Sequence, residues 1–430
     1  MEGPFAGLFR LRSSFAILAS LFSVACGDSL VGGGSGTPMI VSVSPATESN
    51  NVSVLTDLEI RFSTELDPAS VAAAVRLETE YGEVLTRKVL KNSKLVILEP
   101  TDPLDFGASY RVVVDPTLLS RSGKPVLEGE SWGFSTEGNP FPSLEVDSLL
   151  ATLEALAHDS MKGRGSGTED ELRAAQYLSR RFEAYGLEAP SSGTLQFFQA
   201  LSRKTQEVLS SQNVLALIPG SGSLSDEWVV VGAHYDHIGL REQADGTRGI
   251  NNGADDNGSG TVLVLEMARV FQEHVSNGGI PTNNRRGVLF VAFGAEEEGL
   301  LGSCHYALEA PAVPISSTRA MMNFDMVGRL TQGVVQVGGV ESANHWADML
   351  QNTSRPELIP YAPPLCQSCS DFACFRDRGV PYLWFFTGLH DQYHTPLDDV
   401  ERINLPGLTK IGELSLRLLG RLVVLPGDLS

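Results

Sequence analysis

The chain has no surplus of positive charge: 32 Lys and Arg stand against 52 Asp and Glu, a net charge of −20 over 430 residues. Such a surface repels phosphate backbones, which argues against nucleic acid as a partner. Long apolar runs are missing as well. Beyond a short stretch near the start, none approaches the roughly 20 residues that a membrane-spanning helix needs. There is no GxSxG elbow, which argues against a serine hydrolase of that kind, and no HExxH helix, which excludes a thermolysin-like zinc site. Cysteine is scarce, at five residues. What remains is ordinary globular material, 42% hydrophobic and 20% charged, long enough for two or three domains.

Arg10 and Arg12 precede the apolar run Phe15 to Ala25, which is too short to span a bilayer and reads as an export signal over residues 1–25. Cys26 follows Val24-Ala25 directly. That arrangement resembles the bacterial lipoprotein cleavage box, with Ser23 where the box usually has Leu. It implies a lipid anchor at Cys26, the only membrane contact expected, in the bacterial cell envelope. An ordinary signal and a secreted protein are the alternative. Residues 26–37 hold five Gly without periodicity and read as a flexible tether. In an exported chain Cys304, Cys366, Cys369 and Cys374 are free to form disulfides, and three of them crowd one stretch. The Cys366-x-x-Cys369 pair has no second pair to complete a zinc knuckle, so a loop-stapling disulfide is expected, its pairing open.

Residues 38–137 alternate between apolar and polar in short segments such as Ile40 to Val43, Leu58 to Phe62, Lys94 to Leu98 and Tyr110 to Val114. Turn residues separate them, which predicts an all-β sandwich. The segments SPATESNNVSVLTDLEIRFSTELDPASV, LEPTDPLDFGASYRVVV and GESWGFST resemble bacterial Ig-like domains, which implies a spacer or adhesion module.

From residue 142 to 430 the pattern changes to α/β. Val146, Leu149, Leu150, Leu153 and Leu156 mark a helical stripe, and Thr168 to Glu171 is a capping box for a second helix closed by Gly186. Apolar strands then alternate with helical stretches: Trp228 to Gly232 with Thr261 to Gln272, and Gly287 to Phe293 with Leu300 to Glu309. Ala320 to Phe324 and Tyr382 to Phe386 read as further buried strands, and Leu405 to Leu419 as a closing helix. Alternation of this kind predicts a mostly parallel, mixed sheet flanked by helices, with its site at the carboxyl ends of the strands.

At those ends stand His234-Tyr235-Asp236-His237, Asp255-Asp256-Asn257 before a helix, Glu296-Glu297-Glu298, Asp325, and His390 to His394. Imidazoles and carboxylates are the ligands that suit zinc. Each motif alone has a plainer reading as a packed histidine, an N-cap or a solvated helix start. Together they crowd too many acids for one buried place unless cations balance them.

The ordered segments GAHYDH, GADDNGSG, FGAEEEGLLGS, NFDMVG and DQYHTPLDDVERIN resemble the M28 family of co-catalytic dizinc peptidases, over about Glu145 to Leu425. That resemblance implies a zinc exopeptidase-like fold and two zinc ions as cofactors. It implies Asp256 as the carboxylate shared between them, His234 and Asp325 on one zinc, and Glu297 and His394 on the other. It assigns Asp236 to orienting His234, Glu296 as the general base toward a zinc-bridging water, and Tyr393 as donor to the oxyanion. It also implies a cis peptide after Asp256. Of the other histidines, His237 is expected to frame the site and His390 to face the substrate cleft, while His158, His274 and His345 read as packing or surface residues in helical stretches.

The resulting expectation is a zinc metallopeptidase acting on peptides or proteins, most simply an aminopeptidase. A carboxypeptidase of the same family would need a basic anchor, for which Arg329 and Arg376 are the nearby choices. A related zinc fold cyclises glutamine, and an inactive surface binding protein is the reading from another class. The sequence leaves side-chain preference and oligomeric state open.

Overall fold

Leu58, Ile60 and Phe62 alternate with the exposed Glu59 and Arg61, so the strand Leu58–Phe62 turns one face to a core and the other to water. The same alternation governs Ser109–Val114 and Glu130–Thr136. These strands build two sheets. One has the order Ile40–Ser44, Leu58–Phe62, Leu95–Pro100, Thr86–Lys91; the other runs Ser49–Val52, Glu130–Thr136, Ser109–Val114, Val75–Thr79, Gly82–Val84. Their inward residues, among them Ile60, Val96, Val112 and Phe134, share one core, as expected of an Ig-like sandwich.

The structure is a computed structural model describing residues 36–190, 198–200, 210–242, 246–280, 283–355, 358–361 and 368–429. The export signal, Cys26, most of the tether and Cys366 lie outside these.

The second half is built on an eight-stranded sheet. Its centre is four adjacent parallel strands in the order Gly287–Phe293, Trp228–His234, Thr318–Phe324, Tyr382–Phe386. Gln212–Ile218 and Val334–Gly338 flank them antiparallel, with Phe198–Ala200 and Ile359–Tyr361 at the edges. The central strands are apolar on both faces because helices cover both sides, including Gly260–Ser276 and Leu405–Val424.

Local signals explain the helix ends. Thr168 Oγ1 accepts the N–H of Glu171 and opens the helix Glu169–Ala184, and Gly186 follows it at φ +74°. The capping box closes differently from the expectation: Glu171 Oε2 accepts from Gly167 N at 2.6 Å, and Oε1 from Ser211 at 2.5 Å. The single helix expected from Leu300 to Glu309 is instead a short helix Leu301–Cys304 followed by a wider turn, His305–Glu309, ending before Pro311. Cys304 is bonded to Cys374, which ties that helix to Phe372–Arg376 across 70 residues. Cys369 is disulfide-bonded as well. Cys304–Cys374 is therefore a long-range linkage, while Cys369 keeps a disulfide of its own in the stretch where a loop staple is expected. His158 caps a turn and His345 precedes the helix Trp346–Thr353, so only His274 of the three sits inside a helix.

Candidate metal centre

Four neighbouring parallel strands end on one edge of the sheet, and the polar motifs begin where the apolar runs stop. His234 is the last residue of its strand, Asp325 follows Phe324 directly, and Glu296 and Glu297 come three and four residues after Phe293. His394 sits in the loop beyond Phe386, and Asp256 in the turn Ala254–Ser259 that opens the helix Gly260–Ser276.

The Asp256 carboxylate faces two imidazoles. Its Oδ1 lies 3.5 Å from His234 Nε2 and its Oδ2 lies 3.1 Å from His394 Nε2. Asp325 Oδ1 is 3.5 Å from His234 Nε2, and Glu297 Oε2 is 3.3 Å from His394 Nε2. The five residues expected to ligate are thus brought together. Two groups of possible donors result: His234, Glu296 and Asp325, and His237, Asp256, Glu297 and His394. His237 stands closer in than a framing residue, with Nδ1 2.8 Å from Glu297 Oε1. Glu296, expected to act as a base, lies 3.9 Å from His234.

Whether this set fits zinc is a question of donors and charge. His394 Nε2 and His237 Nε2 are buried and make no hydrogen bond, although the carboxylates of Asp256 and Glu297 crowd the same space. Imidazole nitrogens and carboxylate oxygens converging without hydrogen bonds are what a borderline divalent cation requires. The residues fit.

The electrostatics point the same way. Burial would raise Glu297, yet the adjacent imidazoles of His237 and His394 bring it down to about 2. Burial would lower His394, but Asp256 and Glu297 hold it at about 9. His234 is raised well above the usual imidazole value: Glu296, Asp256 and Asp325 outweigh its burial. Glu296 moves the other way, raised well above the usual carboxylate value by burial and then by Asp371, Asp325 and Asp236.

Asp236 is fully buried and fastens the loop of the two glutamates. Its Oδ1 accepts from Glu296 N at 3.0 Å, its Oδ2 from Glu297 N at 3.3 Å and from Ser166 Oγ at 2.6 Å. Its Oδ1 is 3.8 Å from His234 Nδ1, while its backbone carbonyl is nearer, at 3.2 Å. The expected orientation of His234 therefore rests on the main chain of Asp236 more than on its side chain. Tyr393 stacks on His394 with ring centroids 3.8 Å apart, and burial followed by the charge of Asp256 raises its hydroxyl pKa.

The turn carrying Asp256 is held from several directions. The Asp256–Asn257 peptide is cis. Gly253 has φ +56°, and a side chain there would collide with the Asp256 carbonyl oxygen. Asp398 Oδ2 accepts the N–H groups of Asp255 and Asp256 at 2.9 and 3.0 Å, and its Oδ1 pairs with Arg329 at 2.9 Å. His390 reaches Asp255 Oδ2 at 3.2 Å. Ser370 donates to Asp325 Oδ2 at 2.7 Å. The buried Arg164 guanidinium donates to the carbonyls of Leu156, Tyr235, Asn252 and Gly253. Sequence reasoning did not single out Arg164, Ser166, Ser370 or Asp398. Asp398 lies inside DQYHTPLDDV, four residues past His394, and that position was the one available signal.

Comparison with known proteins bears on the family and the fold. The model of peptidase family M28 matches residues 213–419, and that of a bacterial Ig-like domain matches residues 35–136. Aminopeptidase YwaD of Bacillus subtilis is 29% identical over 214 residues, 48% of this chain and 43% of that protein. The match thus spans less than half of that relative's length. A probable leucine aminopeptidase of Arthroderma benhamiae is 30% identical over 303 residues, 67% of this chain and 77% of that protein. Among solved structures, a zinc aminopeptidase of Bacillus subtilis shares the fold at a TM-score of 0.52, with 18% identity, covering 68% of this chain and 100% of that one.

Proposed function

Because the chain belongs to peptidase family M28, we propose that it is an exported, zinc-dependent aminopeptidase that removes residues from the N-terminus of peptides. The observation that carries this reading is the Asp256 carboxylate, one oxygen toward His234 and the other toward His394. In this reading His234, Asp325 and Asp256 would hold one zinc ion, and Glu297, His394 and Asp256 a second. Zinc there would supply Lewis acidity toward the scissile carbonyl and toward water.

The chain's own groups do the rest. Glu296 takes the proton of the attacking water at its carboxylate and gives it to the departing amine. Asp236 holds Glu296 in place through the backbone N–H. The Tyr393 hydroxyl, kept protonated by its raised pKa, donates to the oxyanion.

Cleavage from the amino end is favoured over the carboxyl end by the state of the two candidate anchors. Arg329 is engaged by Asp398, and Arg376 by Asp377 at 2.7 Å. Export and a lipid anchor at Cys26 complete the proposal, resting on the pattern of residues 1–26. Hydrolysis of an aminoacyl-nitroanilide, with an N-blocked dipeptide left intact, is the expected result. Cleavage of the blocked dipeptide alone would favour a carboxypeptidase.

A further inference from the structure

Between the sandwich and the second domain lies a cleft of about 760 Å³. It is far from the metal centre. The helix Leu405–Val424 starts beside Gly328, which accepts from Asn404 N, and ends where Arg286 Nη1 binds the Leu422 carbonyl before the strand Gly287–Phe293. Arg417 and Arg421 stand on its last turns, about 18 Å or more along the axis from that start.

The sandwich contributes Asp105, Phe106 and Tyr110 to the cleft, and the other domain Arg355, Arg417 and Arg421. One carboxylate serves two of the arginines: Asp105 Oδ1 binds Arg421 Nε at 2.9 Å and Oδ2 binds Arg355 Nη2 at 3.2 Å. Arg417 is left over. Its Nε is buried without a hydrogen-bond partner, and it forms no ion pair among the described residues. Glu413, one turn earlier on the same helix, also lines the cleft without pairing to it. Of the other two acids there, Glu78 is committed to Arg76 and Arg111, and Glu80 lines the sandwich side beside Tyr81. Arg417 as a whole is only partly buried, so its terminal nitrogens face the cleft while its Nε has lost hydration without gaining a partner. Burial, Arg355 and Arg421 work against its charge, partly offset by Asp105 and Glu413.

We propose that this interdomain cleft is an anion site, in which the carboxylate or phosphate group of a small ligand binds Arg417, with Arg355 and Arg421 beside it. The guanidinium fork matches either oxyanion through paired N–H donors. The apolar wall of Phe106 and Tyr110, both nearly fully buried, limits water and strengthens the contact. The cleft volume is that of a small-molecule site. Because its walls come from both domains, an occupant also holds them together.

The test is thermal unfolding of the zinc-loaded chain titrated with inorganic phosphate, and separately with succinate, at constant ionic strength. At least one anion is expected to raise Tm saturably, and the rise is expected to vanish in Arg417→Met. The more effective anion identifies the ligand class. Phosphate acting at the metals would stabilise wild type and Arg417→Met equally, and that outcome overturns the proposal, as does no saturable rise with either anion. A second variant, Glu413→Gln, keeps all three arginines and removes a repelling carboxylate. It is expected to bind the effective anion several-fold tighter; unchanged or weaker binding overturns the proposal.

Discussion

The backbone N–H of Glu296 donates to Asp236 Oδ1 at 3.0 Å, so the loop carrying the proposed base hangs on a carboxylate that is itself buried. Asp236→Asn keeps the shape but replaces one acceptor oxygen with a donor, facing either the Glu296 or the Glu297 N–H. Such changes around a metal site typically lower metal affinity or activity by about 10–100-fold. A lower kcat and weaker zinc retention on dialysis are expected, with little change in KM. Wild-type values for both would show that the fastening is incidental.

Glu296→Gln tests the base itself. Removing the proton acceptor should lower kcat by roughly 10²–10⁴-fold while the variant still binds metal. Near-native turnover in the metal-loaded variant would take the base role from Glu296.

Asp105 gives the domain contact a sign with pH. Burial alone would raise its pKa, but Arg421 and then Arg355 hold it below the usual carboxylate value. A folded pKa below the unfolded value means stabilisation that is complete above the unfolded pKa of about 3.9 and is lost as pH falls through the folded one. Tm should therefore drop as the pH is taken below about 4. Asp105→Asn should flatten that part of the profile and destabilise the neutral protein by about 3–5 kcal/mol, since it leaves two arginines short of their partner. Parallel profiles for the two proteins would contradict this.

The site was legible because three of the four parallel strands are mostly apolar runs that lead into a functional residue: Val229 to His234, Val288 to Glu296, and Ala320 to Asp325 with only Asn323 interrupting. Burial on both faces forces that composition, and chain direction then fixes which end is polar. Supports such as Ser370 to Asp325, Ser166 to Asp236 and Asp398 to Asp256 were not legible. Each joins residues 45 to 142 positions apart, and none leaves a periodic mark in the sequence. The strands Val334–Gly338 and Ile359–Tyr361 escaped notice because they are short and partly exposed, so no long apolar run marks them. The overlong helix from Leu300 came from reading composition where Leu300 itself adopts φ +60° and delays the start.

The proposed function rests on Asp256 serving as a ligand to two zinc ions. Elemental analysis of the purified chain, beside Asp256→Ala prepared identically, tests it most directly. Two zinc ions per wild-type chain and at most one in the variant are expected. A single ion or none in the wild type, or two retained by Asp256→Ala, would contradict it.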